Sequence, residues 1–371
     1  MKKVLALLVA MILCVSLFAS CGEKDSITTP EDKELDSSIV VKEDGVELSL
    51  GYYNIVYNNN YQMMSQYSQY YGEDWINMEI EAGKTVKDYI AESSEIQMEQ
   101  YISIIKLAEK NGITADKKIK EAVEEQRKEL LTNYGGEEGY KDFLLENHTT
   151  DKAVRSYLET YLILESLFEK LTKEGEEAYI EDSEIEKMFA EEFKDKLRVQ
   201  HVLISTMADE QTGAPAKTEE EALKIANEVI AKLDKGEKFD DLISNYGEDP
   251  GMSAGQFYVF GTGEMVEEFE KASRELKIGQ YTKKPVKSDY GYHIIKRYEI
   301  NKDIPEYNDF KVSKLQEKLS EVLVEKADSL KIKWDKKIID KYLEKVEKEA
   351  EKKAEKETEK TDKEAEKTEN K

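Results

Sequence analysis

Val199-Gln200-His201-Val202-Leu203-Ile204-Ser205 and Tyr290-Gly291-Tyr292-His293-Ile294-Ile295-Lys296 are the two stretches on which the fold turns. Each sets a histidine inside an apolar, β-branched run, the pattern of a buried strand. His201 and His293 are two of the chain's three histidines. On neighbouring strands the two imidazoles would face each other within one sheet, and buried rings must find hydrogen-bond partners there.

Working outward, residues 197–299 read as strand, helix (219–235), helix (238–246), glycine-rich loop, short helix (264–276), strand and strand. On both sides the apolar period becomes helical. Residues 38–195 open with a hairpin, Ile39-Val40-Val41 and Val46-Glu47-Leu48 flanking Glu43-Asp44-Gly45. Tyr53, Tyr57, Tyr61, Met64, Tyr67 and Tyr71 then recur at three- and four-residue intervals. The plain reading is a core-facing stripe. A wet aromatic surface for unfolded chains is the alternative, since tyrosine suits amphipathic contacts. A long helix carrying Ile90, Met98, Ile104 and Ala108 stops at Asn111-Gly112, and Thr114 is placed to cap the next. Gly135-Gly136 breaks that one, and a further helix covers about 150–172, with His148 before it reading as a solvated side chain. After Ile304-Pro305 the helical pattern returns from about 306 to 345. The middle region thus reads as an insertion into a helical domain built from both flanks.

The ends are different in kind. Residues 1–21 read as an export signal, with Lys2 and Lys3 ahead of the apolar stretch Val4 to Leu17. Leu17-Phe18-Ala19-Ser20-Cys21 resembles a bacterial lipobox, which implies lipidation of Cys21. Phe18 stands where leucine is usual, which leaves a plain cleaved signal as the alternative. Cys14 would leave with the signal, so the mature chain holds one cysteine and no internal disulfide. No later apolar stretch is long enough to span a bilayer, making an acyl anchor the expected membrane contact. Residues 22–37 read as a flexible tether. Residues 346–371, almost only Glu, Lys, Ala and Thr, read as a solvated tail or marginal helix.

Across its 371 residues, 80 acidic against 55 basic side chains give a net charge of −25, which repels phosphate backbones and speaks against nucleic acid. Scattered histidines and a lipidated cysteine offer no metal-ligand cluster, and no serine has a nucleophile's setting.

Residues 197–299 resemble a parvulin-type peptidyl-prolyl isomerase domain. The carrying segments are Val199 to Ile204, Phe239-Asp240-Asp241-Leu242-Ile243, Tyr246-Gly247-Glu248-Asp249, Phe260 to Glu270, Leu276 to Gln280 and Pro285 to Ile295. The helical flanks, the lipobox and Lys110-Asn111-Gly112-Ile113-Thr114 are similar to extracytoplasmic foldases of the PrsA and SurA type. The resemblance implies an α+β fold. A parvulin domain (196–300), a small antiparallel or mixed sheet surrounded by helices, is inserted into a mostly α-helical SurA-like chaperone domain. That helical domain comprises 38–195 and a C-terminal helix within 301–345.

The resemblance further implies isomerisation of X–Pro bonds in secreted proteins, without cofactor or metal. It places Phe257, Met265 and Phe269 around the proline ring and makes His201, Asp249 and His293 the catalytic group; Ser288, counted with the substrate-binding residues, is placed to add a hydroxyl to the same network. The implied partners are unfolded or newly exported proline-containing polypeptides, met at the outer face of a bacterial membrane. The oligomeric state stays open, a dimer included. A non-catalytic holdase, using the same fold as a peptide-binding module, is the alternative; a cell-surface spacer is a third reading.

Two departures from the family pattern stand out. Ala254-Gly255-Gln256-Phe257-Tyr258 replaces the usual Gly-Gly-Asp-Leu-Gly, and Gly247 replaces the serine of a Tyr-Ser-x-Asp loop. Tyr258 in a glycine's place predicts either negative φ or strain. Phe257 predicts a narrower recess than leucine would leave.

Overall fold

The computed structural model describes residues 27–345 and 348, apart from 44, 67, 73–74 and 209–215. Cys21, the signal segment and nearly all of the tail lie outside the described residues. Two compact units result: one from residues up to Tyr179 together with those from Leu315 onward, the other from Ile180–Lys314.

The first unit opens with α1 (Asp32–Ser37), which corrects the tether expected over 22–37. Buried Leu35 anchors it, and Thr150 Oγ1 donates to Asp36 Oδ1 at 2.7 Å. The hairpin β1 (Ile39–Glu43) and β2 (Val46–Ser49) follows, then α2 (Leu50–Ser65) and a single turn, α3 (Ser68–Tyr71). A small hairpin, β3 (Glu79–Glu81) and β4 (Lys84–Thr85), leads to α4 (Val86–Lys110), α5 (Lys117–Asn133), α6 (Glu137–Glu146) and α7 (Asp151–Leu171). Thr85 and Asp88 form a capping box on α4, and Thr150 caps α7 through the Ala153 amide. The cap of α5 is Asp116, not Thr114.

The tyrosine stripe divides. Tyr52 and Tyr53 are fully buried in the main core with Met98, Ile102, Leu158 and Leu167, whereas Tyr61 and Tyr71, further along, are exposed. His148 is not a free surface ring: its Nδ1 lies 3.2 Å from Glu31 Oε2 and its ring meets Tyr342 edge-on.

The second unit is built on α8 (Asp182–Glu192), β5 (Leu197–Ser205), α9 (Glu219–Asp234), α10 (Phe239–Tyr246), β6 (Tyr258–Phe260), α11 (Glu267–Glu275), β7 (Val286–Ser288) and β8 (Gly291–Tyr298). Helix α12 (Pro305–Ser329) starts here, and its later residues Leu319 and Leu323 belong to the first unit's core. The unit begins at 180 rather than 196 and runs past 300 because α8 is held by aromatic packing: Phe189 stacks on Phe193 and meets Tyr307 and Phe310 edge-on. In the first unit, β9 (Lys333–Trp334) adds to β1 to give the order β2-β1-β9, and residues 336–345 are helical.

The four-stranded sheet of the second unit has the order β6-β5-β8-β7, antiparallel throughout. Strand alternation sorts β5 into two faces. Val202 and Ile204, with Tyr292 and Ile294 of β8, pack on α9 and α10 through Ala222, Ala226, Val229, Leu242 and Ile243. Leu197 and Val199, with Ile295 and Phe260, pack on α11 through Phe269. His201 shares this second face.

Candidate active site

The register of β5 on β8 builds the centre. Leu203 pairs with His293 and His201 with Ile295, so the two histidines are diagonal neighbours on one face. Their rings stack 5.3 Å apart with Nδ1 to Nδ1 at 3.1 Å, and both are buried. The chain of contacts continues at each end. His201 Nε2 lies 2.7 Å from Asp249 Oδ2, and His293 Nε2 lies 2.7 Å from Ser288 Oγ.

Donor and acceptor roles follow from the inventory of each group. An ionised Asp249 only accepts, so His201 donates through Nε2–H. With both rings neutral, His201 Nδ1 accepts from His293 Nδ1–H, and His293 Nε2 accepts from the Ser288 hydroxyl. A proton added to the pair turns the last bond round, His293 Nε2–H then donating to the Ser288 hydroxyl. Burial and the neighbouring His201 push His293 down to about 4. The bond from His201 holds Asp249 at about 2, helped by the Gly251 amide at 2.8 Å and the Tyr258 hydroxyl at 2.9 Å.

Phe269 supplies the apolar wall. Its ring meets His201 and His293 edge-on at 5.1 and 5.3 Å. Met265, half-buried, packs against the same cluster. The structure therefore brings His201, His293, Asp249, Ser288, Met265 and Phe269 together.

Two expected residues fall differently. Ser288 adds its hydroxyl to the imidazole network as read from the sequence, but it does so buried behind His293 and not presented to a substrate. Phe257 does not join Met265 and Phe269: its ring meets Tyr298 edge-on, and the Arg198 guanidinium sits 3.4 Å above it. The cause is the pairing of β6 with β5. Val199 opposes Tyr258, so Tyr258 takes the histidine face and its neighbour Phe257 turns away. Tyr258 is thus the site residue that the sequence pattern missed; its ring lies 5.6 Å from that of His201. Of the two outcomes expected at Tyr258 the backbone takes the first, avoiding positive φ, since His148 is the sole positive-φ non-glycine among the described residues. Gly247 is required by contact: a Cβ there would lie 2.6 Å from the Ile243 carbonyl oxygen. A cavity of about 540 Å³ elsewhere in the unit, lined by Phe189, Phe193, Arg198 and Tyr307 among others, includes none of these site residues.

Comparison with known proteins bears on the family of the chain and of its second unit. Residues 183–300 match the family model of the PPIC-type PPIASE domain. The chain is 34% identical over 207 residues to the foldase protein PrsA of Geobacillus kaustophilus, covering 50% of this chain and 68% of that protein. It is 35% identical over 192 residues to the PrsA of Geobacillus sp. (strain WCH70), covering 51% of this chain and 58% of that one. With the PrsA of Caldanaerobacter subterraneus the identity is 26% over 338 residues, covering 89% and 94% of the two chains. The chain belongs to the PrsA foldases, and its second unit is a parvulin-type peptidyl-prolyl cis–trans isomerase domain.

Proposed function

We propose that this chain turns X–Pro bonds of exported polypeptides in the recess formed by Met265, Phe269 and Tyr258, with His201, His293 and Asp249 as the catalytic group, while its helical unit holds those polypeptides. The observation that carries the catalytic half is the unbroken chain Ser288–His293–His201–Asp249 beside the Phe269 ring.

Rotation about an X–Pro bond faces a barrier of about 18–20 kcal/mol, set by amide resonance. No bond breaks, so no nucleophile is called for. Met265 and Phe269 offer an apolar wall to the pyrrolidine ring and displace water from it. A twisted amide has lost resonance and is less polar, so such a wall favours it over the planar form. The imidazole chain adds fixed dipoles whose direction Asp249 sets. Its role is orientation and field, with no proton passed to the substrate.

The holding half is supported by a second surface. Tyr61, Met63, Tyr70, Tyr71, Met78, Ile80 and Tyr89 are exposed. Residues 49–72 carry no charged side chain, in a chain where 36% of residues are charged. Tyrosine, asparagine and glutamine suit adaptable contact with uncharged, unfolded segments. Export, and lipidation at Cys21 to the outer membrane face, belong to the same reading.

The test is cis–trans exchange of a short proline peptide, followed by NMR with the full chain. Acceleration is expected, reduced at least about tenfold in Met265→Ala. Equal rates with and without the protein would leave a holdase in its place. Aggregation of an unfolded protein should be slowed by the chain and less so by Tyr70→Ser/Tyr71→Ser.

A further inference from the structure

Tyr258 stands where the family pattern has glycine, and the structure ties it to the centre at three points. Its Oη donates to Asp249 Oδ2 at 2.9 Å, the same oxygen that accepts from His201 Nε2 at 2.7 Å. Its ring lies 5.6 Å from the His201 ring, tilted by 37°. The ring tip also presses on the loop that carries the carboxylate: a Cβ on Gly251 would lie 2.4 Å from Tyr258 Oη. Gly251 in turn donates its amide to the other oxygen, Oδ1, at 2.8 Å.

A loop carboxylate bonded to one imidazole alone keeps rotational freedom. Two donors on Oδ2 and one on Oδ1 leave it a single orientation. We propose that Tyr258 is a positioning residue of the isomerase centre: its hydroxyl fixes Asp249, and Asp249 fixes the tautomer and tilt of His201. The chain thereby replaces, with a phenol, positioning that a glycine at this place could not supply. This rests on the reading of the His201 centre as the place where the proline turns.

The experiment uses the full chain and its Tyr258→Phe variant, which keeps the ring and removes only the donor. Three readouts are taken: kcat and KM for a proline peptide, the thermal midpoint, and the ¹⁵N and ¹H signals of the His201 ring. The expected result is a kcat loss of about tenfold with KM changed less than about twofold. A shifted or broadened His201 Nε2–H signal and an unchanged midpoint should accompany it. In an Asp249→Asn background, the same substitution should cost little more, because the effect passes through Asp249. Unchanged kcat and an unchanged histidine signal would overturn the proposal, as would a loss confined to KM or a full further loss in the Asn background. Should the parent chain show no acceleration at all, the functional reading fails instead, and the histidine signal still reports on the Tyr258 contact.

Discussion

Gly291 and Ile204 approach each other so closely that a Cβ on the glycine would lie 2.2 Å from the Ile204 carbonyl oxygen. Gly291 also has φ +136°, a conformation open to glycine alone. It begins β8 at the point where the hairpin from β7 meets β5, pairing with both Ser288 and Ser205. The contact therefore sets the register that brings His293 beside His201.

Gly291→Ala should destabilise the second unit by about 2–3 kcal/mol, through backbone strain and the forced shift of β5. Chemical denaturation followed by near-ultraviolet circular dichroism would measure it. Isomerase activity should fall further than stability alone accounts for, because the histidine pair loses alignment.

Phe269 and Met265 should separate packing from binding. Phe269 is 3% exposed and shared by both histidines, so Phe269→Ala should cost about 3–5 kcal/mol of stability together with activity. Met265 is half-buried, and its alanine variant should cost about 1 kcal/mol while losing most of the activity. Paired melting and exchange measurements on the two variants would show the split.

Acid should weaken the second unit in a defined window. His293 sits at about 4 when folded against 6.5 ordinarily, so the folded form resists a proton that the unfolded chain accepts. Its stabilising effect is complete above pH 6.5 and is lost as pH falls to about 4, amounting to about 3 kcal/mol. Asp249, held at about 2 against 3.8, adds a second loss between those two values. Denaturation midpoints taken across pH 3–8 should show the slope between 6.5 and 4, and His293→Gln should flatten it.

The helical unit has its own test in the buried pair of Arg127 and Asp151, 5% and 2% exposed, with Nε to Oδ1 at 2.5 Å. Tyr140 Oη also donates to that oxygen, and Arg155 to the other. Asp151→Ala removes the buried carboxylate that Arg127, Tyr140 and Arg155 share and should cost about 3–5 kcal/mol. Hydrogen exchange would locate the loss in α5, α6 and α7, with β5 and β8 protected as before.

How far the fold was legible depended on the length of each pattern. The strands of His201 and His293 could be read because several consecutive β-branched residues declare a buried strand. Met265 and Phe269 could be placed together by the motif they share and not by helical spacing, since the helix expected over 264–276 starts only at Glu267 and Met265 precedes its N-cap, Val266. Phe257 and Tyr258 were exchanged because β6 is three residues long inside a glycine loop, too short for alternation to reveal which residue faces inward. The two-residue β9 gives no pattern at all; only its pairing with Val41 and Lys42 defines it. Helix α1 rests on one buried leucine, which no periodicity announces.

The pairing of Lys333 and Trp334 with the first strand has a temporal meaning. A polypeptide synthesised from its N-terminus delivers every strand of the four-stranded sheet before it delivers the residues that finish the three-stranded one. The insertion can mature while its host still waits for its last piece, so a chain interrupted before residue 333 would carry a finished middle and an open, incompletely zippered frame.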